Sequence, residues 1–502
     1  MKRKMVKQLL MSVLLMAGLT TVATAQRALS LDSCRQMALR HNHEVLISQQ
    51  EHAAAASLEK AAKTQMLPDI SANGAYTYMN KLLSYDISTP ELNLPVGSLA
   101  PDGSWTITPG DTDNTWVDMG NGTFAPLDSE GVPFDPTVNP EKLIISDWAY
   151  IPAIDTTLEI GQHHNFLGGV NITQPVYMGG KIRELVKVAG YAEAIAESGV
   201  AKAQADVVYH VDEAYYRVLQ VQQKVVLATE AVSLLENIVE DVTNYKEEGL
   251  ITQNEVMQAQ VKLNEANLNL IKAQNGLKLS QMALNQAIGI EFSQELILTD
   301  TLDNQIFRIS DGNYAGQAMV HRPELHSLEQ AMNIAESQVK IARSRYLPNV
   351  GVTASYLFVT PNVFDSFGEE FGSDWNVMVA CNIPIFHWND RKHTLDASKN
   401  ESVAAQLRYD QACEMITLQV EQARQHCIES AETVMLSEKN LLQAKENLNI
   451  HRDNLEEGMC TVNDVLQAEV MWQKAYDQLI EARAQNRMNY SYLENVSGIS
   501  LK

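Results

Sequence analysis

Residues 181–249 read KIRELVKVAGYAEAIAESGVAKAQADVVYHVDEAYYRVLQVQQKVVLATEAVSLLENIVEDVTNYKEEG. From Val211 onward, alternating steps of three and four land on Val211, Ala214, Val218, Val221, Val225, Ala228, Val232, Leu235, Val239 and Val242. That is a heptad seam, the pattern of coiled-coil packing. No proline interrupts the stretch, and only Gly190 and Gly199 break a run of good helix formers. At 1.5 Å per residue the helix would be roughly 100 Å long, far beyond what a globular core needs. The rest of the chain is read as what this rod is attached to.

Upstream, Lys2, Arg3, Lys4 and Lys7 precede an apolar run from Leu9 to Leu19 and then Ala23-Thr24-Ala25. A basic start, a short apolar centre and an A-x-A site predict a secretory signal peptide over 1–25. Removing its four basic residues takes the formal charge from −24 to −28, a balance that argues against nucleic acid as a partner. No later apolar run is long enough for a transmembrane helix. Cys34, Cys381, Cys413, Cys427 and Cys460 are odd in number and lack C-x-x-C spacing, so they predict neither a disulfide framework nor a zinc site.

The chain repeats itself. At an offset of 280, His41, Glu44, Gln50 and Leu67-Pro68 fall on His321, Glu324, Gln330 and Leu347-Pro348. At an offset of 209, Pro175, Glu247-Glu248-Gly249, Thr252, Val256, Gln258-Ala259 and Gly289 fall on Pro384, Glu456-Glu457-Gly458, Thr461, Val465, Gln467-Ala468 and Gly498. An internal duplication is the simplest account. The first repeat is expected over 26–290, with helices 30–66, 181–248 and 252–289, strands near 68–78 and 165–177, and a long loop 79–164. A connector follows at 291–313. The second repeat, 314–502, is expected to carry helices 316–346, 389–457 and 461–498 and strands near 348–359 and 374–386. In each half two shorter helices stacked end to end would match the long one.

The strands alternate. Trp375, Val377, Val379, Cys381, Ile383 and Ile385 interleave with Asn376, Met378, Ala380, Asn382 and Pro384, and Val350 to Phe358 do likewise. Segments of about ten alternating residues fit transmembrane β-strands, although an ordinary half-buried sheet gives the same pattern. The signal peptide, the lack of a transmembrane helix and the aromatic residues at strand ends (Tyr76, Tyr78, Tyr177, Phe386, Trp388) favour the membrane reading. Four strands cannot close a barrel, and an open edge cannot sit in lipid, so other copies must complete it; three copies give twelve strands. The loop 79–164 sets thirteen acidic residues against Lys81 and Lys142, and so belongs in water on the barrel's outer side.

These features together resemble the TolC-type outer-membrane factors, the outer membrane efflux protein family. The resemblance covers nearly the whole mature chain. It rests on the duplicated helix-strand-strand-helix plan, the Leu-Pro steps into the strands, Gln174-Pro175-Val176-Tyr177, and two glycine turns followed by Thr-x-x-acid-Val. It implies a mainly α fold with a membrane β-barrel: a homotrimer with a periplasmic α-helical tunnel and a shared twelve-stranded barrel, four strands per protomer. It further implies a Gram-negative outer membrane, a passive exit duct for efflux or type I secretion, and, as partners, outer-membrane lipid, a periplasmic adaptor and an inner-membrane pump of the RND or ABC type. A periplasmic coiled-coil adaptor or scaffold without a pore is the alternative. Duplication and four alternating strands argue against it.

The family closes its periplasmic entrance with polar contacts and acidic rings near the helix–helix turns. The matching positions here are Glu255 and Asp464, with Gln258 and Gln467 one turn on; Gln467 stands where the family carries a second acid. Cys460 and Leu455 replace an arginine and a tyrosine of the family's latch. The same acids fit capping boxes, Thr252 with Glu255 and Thr461 with Asp464, and the two roles can coexist. Glu247, Glu248, Gly249, Glu456, Glu457 and Gly458 would form the tip at which an adaptor docks, or simply a solvated helix end. The pairs His41/His43 and His163/His164 lack a third metal ligand in spacing, and no catalytic or cofactor motif is present, so no enzyme, metal or cofactor is expected.

Overall fold

The computed structural model describes residues 28–90, 153–160, 162–302, 305–365 and 370–499, with short strand segments between 92 and 151. The signal peptide expected at 1–25 and the rest of the acidic segment lie outside the described residues. The chain divides into a helical unit (Met1–Leu67, Tyr177–Asn349, Asn382–Lys502) and a β unit (Pro68–Val176, Val350–Cys381). Among the described residues no helix is long and apolar enough to cross a membrane.

The helical unit comprises α1 (Leu31–His41), α2 (His43–Thr64), α3 (Lys181–Glu247), α4 (Gln253–Ile288), α5 (Tyr314–His321), α6 (Pro323–Ser344), α7 (Asp390–Glu456) and α8 (Val462–Ser497). Each half pairs one helix of 67 residues with helices of 22 and 36. Packing follows that plan: α3 lies against α2 and α4, α7 against α6 and α8, and α3 also packs on α6 and α8. In the heptad series of α3, Val211, Val218, Val232, Leu235 and Val242 are buried and the other five half-buried. A second stripe, Tyr215, Leu219, Leu227, Ala231 and Ile238, is also buried, because α3 meets neighbours on more than one side.

The single helices expected over 30–66 and 316–346 are each two. Asn42 is extended (φ −68°, ψ 130°) and caps α2 by accepting the Glu44 amide at 2.8 Å. In the second half Pro323 occupies the first helical position, where its missing N–H costs nothing, and forces Arg322 out of helical geometry (φ −72°, ψ 119°). Both breaks receive the end of a longer helix. The Asn42 amide donates to the Ala287 carbonyl at 2.9 Å, and the Arg322 guanidinium to the Val496 carbonyl at 3.2 Å. These are equivalent positions of the two halves, so the duplication extends to which carbonyl is bound.

Around these joints, Ala28–Leu29 (β1) pairs in parallel with Ile297–Leu298 (β12). The Tyr215 hydroxyl donates to Asp300 at 2.8 Å. Arg35 grips buried Asp212 through two hydrogen bonds, one of 2.6 Å from Nε. All five cysteines are free thiols; burial pushes Cys34, with help from Asp300, up to about 11 and Cys427 up to about 12, which leaves both unreactive.

The β unit carries a four-stranded sheet in the order β14 (Gly372–Asn382), β13 (Asn349–Thr360), β11 (His164–Met178), β2 (Asp69–Tyr78). The last strand stops at Asn382 rather than continuing to 386, since Pro384 has no N–H to offer a ladder. β2 and β11 are antiparallel from Tyr78↔His164 to Asp69↔Thr173. One row of this pair holds Ile70, Tyr76 and Tyr78 with Phe166, Val170 and Ile172, all exposed. Among the described residues the sheet's outer strands, β2 and β14, each leave an unpaired edge.

The segment 79–164, expected as loop, begins and ends as paired strand. β3 (Leu83–Thr89) is antiparallel to β10 (Ile154–Ile160), from Leu83↔Ile160 to Thr89↔Ile154. Relative to Tyr78↔His164 the register steps by one residue, and residues 79–82 between the two ladders are not strand. β4 (Leu92–Pro95) and β9 (Trp148–Ile151) keep the new register. Two short antiparallel pairs lie between them: β5 (Ser98–Leu99) with β6 (Trp105–Thr106), and β7 (Trp116–Asp118) with β8 (Phe124–Pro126).

Candidate functional site at the helix turns

Both long helices end in the same way. After α3 the Leu250 amide donates to the Tyr245 carbonyl (2.9 Å) and the Gly249 amide to Lys246 (3.0 Å); after α7 Met459 donates to Asn454 (2.8 Å) and Gly458 to Leu455 (3.0 Å). This paired bonding is the Schellman motif, which requires a left-handed residue; Gly249 and Gly458 supply it with φ of 78° and 70°. Glu247, Glu248, Glu456 and Glu457 all stand exposed at these ends, beside Leu250 and Met459.

The next helices start with capping boxes. The Thr252 amide and hydroxyl donate to Glu255 at 2.8 and 2.9 Å, and those of Thr461 to Asp464 at 2.9 and 2.7 Å. The Thr461 hydroxyl, then its amide, hold the Asp464 carboxyl below the usual carboxylate range. Glu255 and Asp464 therefore each serve their own helix start and are not drawn to each other.

Gln258 and Gln467 are brought together. They face one cleft of about 660 Å³ between α4 and α8, also lined by Val261, Lys262, Val470 and Met471. Beneath the turns the two hairpins share one apolar core, with Ile238 and Val242 of α3, Ala259 of α4, Leu448 of α7 and Val465 and Trp472 of α8.

Glu469 of α8 is a further residue of this region, and no motif in the sequence marks it. Its carboxyl is 1 % exposed and accepts a hydrogen bond from Gln473 on its own helix. Burial pushes it up to about 7, against the weaker opposing effects of Gln473 and Lys262. A signal existed: Val462, Val465, Leu466, Trp472 and Tyr476 mark an apolar stripe, and Glu469 stands in its middle.

A helical unit of two duplicated hairpins, joined in sequence to a four-stranded sheet with free edges, defines a class of envelope protein. The sequence matches the outer membrane efflux protein family over residues 149–290 and 315–498, and the chain belongs to that family. It is an outer-membrane protein, and the family's members are channels. It is 22 % identical to the outer membrane protein TolC of Vibrio cholerae over 336 residues, 65 % of this chain and 74 % of that one. It is 23 % identical over 247 residues to a probable efflux pump outer membrane protein, SepC, of Pseudomonas putida, spanning 49 % of this chain and about half (51 %) of that one. The fold is also that of CusC, whose crystal structures concern transmembrane channel formation: TM-score 0.70 at 14 % identity, covering 94 % of this chain and 92 % of that one.

Proposed function

We propose that three copies of this chain form a passive exit duct through the outer membrane. The observation that carries this reading is the four-stranded sheet with both edges open and an exposed apolar row. Lipid tolerates no unpaired strand edge, so β14 of one copy pairs with β2 of the next and twelve strands close. The helices support the same closure. α4 exposes Met257, Val261, Leu268, Ile271 and Leu279, and α7 exposes Val403, Leu407, Met415, Leu418, Leu436 and Leu442. Two different apolar seams on one chain suit a head-to-tail ring.

In this reading the turns form the periplasmic entrance. Three copies each of Glu255 and Asp464 place carboxylates around it and favour cations. The exposed glutamates of the turns, with Leu250 and Met459, offer a periplasmic adaptor its docking tip, and an inner-membrane pump of the RND or ABC type supplies the energy. The relatives' names support efflux and leave the substrate open.

Single-channel recording in planar bilayers tests this. The protein is expected to open cation-selective channels, and the double variant Glu255→Gln/Asp464→Asn to lose several-fold of that selectivity. Amide oxygens still accept the threonine bonds, so the caps survive the change. No conductance at all would overturn the duct, and unchanged selectivity would remove these two residues from the entrance.

A further inference from the structure

Glu469 is a buried acid without a buried base. Among the described residues no cation lies within ion-pair distance of it, and its hydrogen bond comes from Gln473 one turn along the same helix. Lys262 of α4 lines the cleft together with Leu466 and Val470, which flank Glu469 along α8, and lies close enough to bear on its charge, yet the ammonium is bound to Glu265 at 2.7 Å. Of the charges that α3 and α7 direct at α8, Lys224 is paired with Asp477 (2.7 Å) and Glu438 with Arg483 (2.9 Å), Glu230 bears on Tyr476, and His451 bears on Asp464 with its Nδ1 buried and without a hydrogen-bond partner among the described residues. Lys262 is 39 % exposed on a flexible stem and lines the cleft that separates the helices, so it can turn.

We propose that Glu469 and Lys262 form a proton-controlled tie between the two hairpins: protonated, Glu469 is held by Gln473 while Lys262 stays with Glu265; deprotonated, it takes the Lys262 ammonium and draws α4 toward α8. A bare carboxylate in this apolar core would be costly, and the lysine is the cation in reach that can follow it. With the carboxyl pushed up to about 7 by its burial, the tie changes state near neutral pH. The cleft is wider in acid and narrower in base.

Spin labels at Val261→Cys and Val470→Cys, on the two walls of the cleft, measure this. The full chain is used in detergent, with Cys381, Cys413 and Cys460 replaced by serine and labelled protein diluted so that an assembly carries one pair. Between about pH 5.5 and 8.5 the distance is expected to shorten by about 1–2 Å, the scale of helix shifts in packed proteins, with its midpoint near 7. Glu469→Gln, a mimic of the protonated acid, is expected to stay at the acid distance throughout. Lys262→Met is expected to lose the closure in base. A pH-independent distance in the parent protein, or the same titration in Glu469→Gln, would overturn the proposal. Helix separation is read directly, so the outcome is independent of whether the assembly conducts.

Discussion

Replacing Asp212 with alanine is expected to lower stability by about 3 kcal/mol, the cost of breaking a buried ion pair from one side. Asp212 is 1 % exposed and accepts two hydrogen bonds from Arg35, the residue that fixes α1 to the middle of α3. Without the carboxylate the guanidinium keeps Asp32 at 3.5 Å and the water it reaches through 18 % exposure of its side chain, which places the loss at the lower end of such cases. Thermal unfolding in detergent should show the drop. The double replacement Arg35→Leu/Asp212→Leu should recover most of it, because no charge is then left buried. An Asp212→Ala protein as stable as its parent would show that the pair does not hold α1.

The second large effect is expected from Gly289→Ala. Gly289 ends α4 with φ of 74°, and a Cβ there would lie 2.6 Å from the His41 carbonyl oxygen. The left-handed backbone alone costs a side chain about 1–2 kcal/mol. The contact with rigid backbone adds to that, so the total should exceed about 3 kcal/mol. Its counterpart Gly498 (φ 69°) meets the His321 Cβ at 3.0 Å and should cost less. Gly249 and Gly458 have open space around the Cβ position and should show the backbone cost alone. Thermal unfolding of the four alanine variants is expected to rank them in that order. Equal effects at all four would mean that the stacked-helix joint at Asn42 is not tightly packed.

Much of the architecture is legible in the sequence because coiled coils and glycine turns are local. The heptad of α3 needs only spacing, both Schellman turns need only Gly249 and Gly458, and both capping boxes need only a threonine with an acid three residues on. The breaks in the short helices are less legible. Asn42 is a local N-cap signal that a long helical pattern masks, and the Ala287 carbonyl that uses its amide comes from 245 residues away. Pro323, by contrast, was a visible signal, since proline at a first helical position marks a start. The strands within 79–164 were hidden by the one-residue step in register, which shifts the apolar row from Tyr76 and Tyr78 to Leu83, Tyr85 and Ile87. An unbroken alternation test fails across such a step. At the turns, the sequence marked Glu255 and Asp464 correctly as capping residues, while the pairing of Gln258 with Gln467 depends on how α4 meets α8. Such a meeting between repeats leaves no periodic trace. Glu469 left one, as a charge in an apolar stripe, and outranks its neighbours only once burial is known.

The claim on which the rest depends is that open strand edges and exposed helix seams are closed by copies of the same chain. Native mass measured on protein extracted from the outer membrane in mild detergent tests it most directly. The account predicts a particle of three chains that stays together until the detergent is made denaturing. A single chain, soluble without detergent, would contradict it and leave a periplasmic helical scaffold in its place.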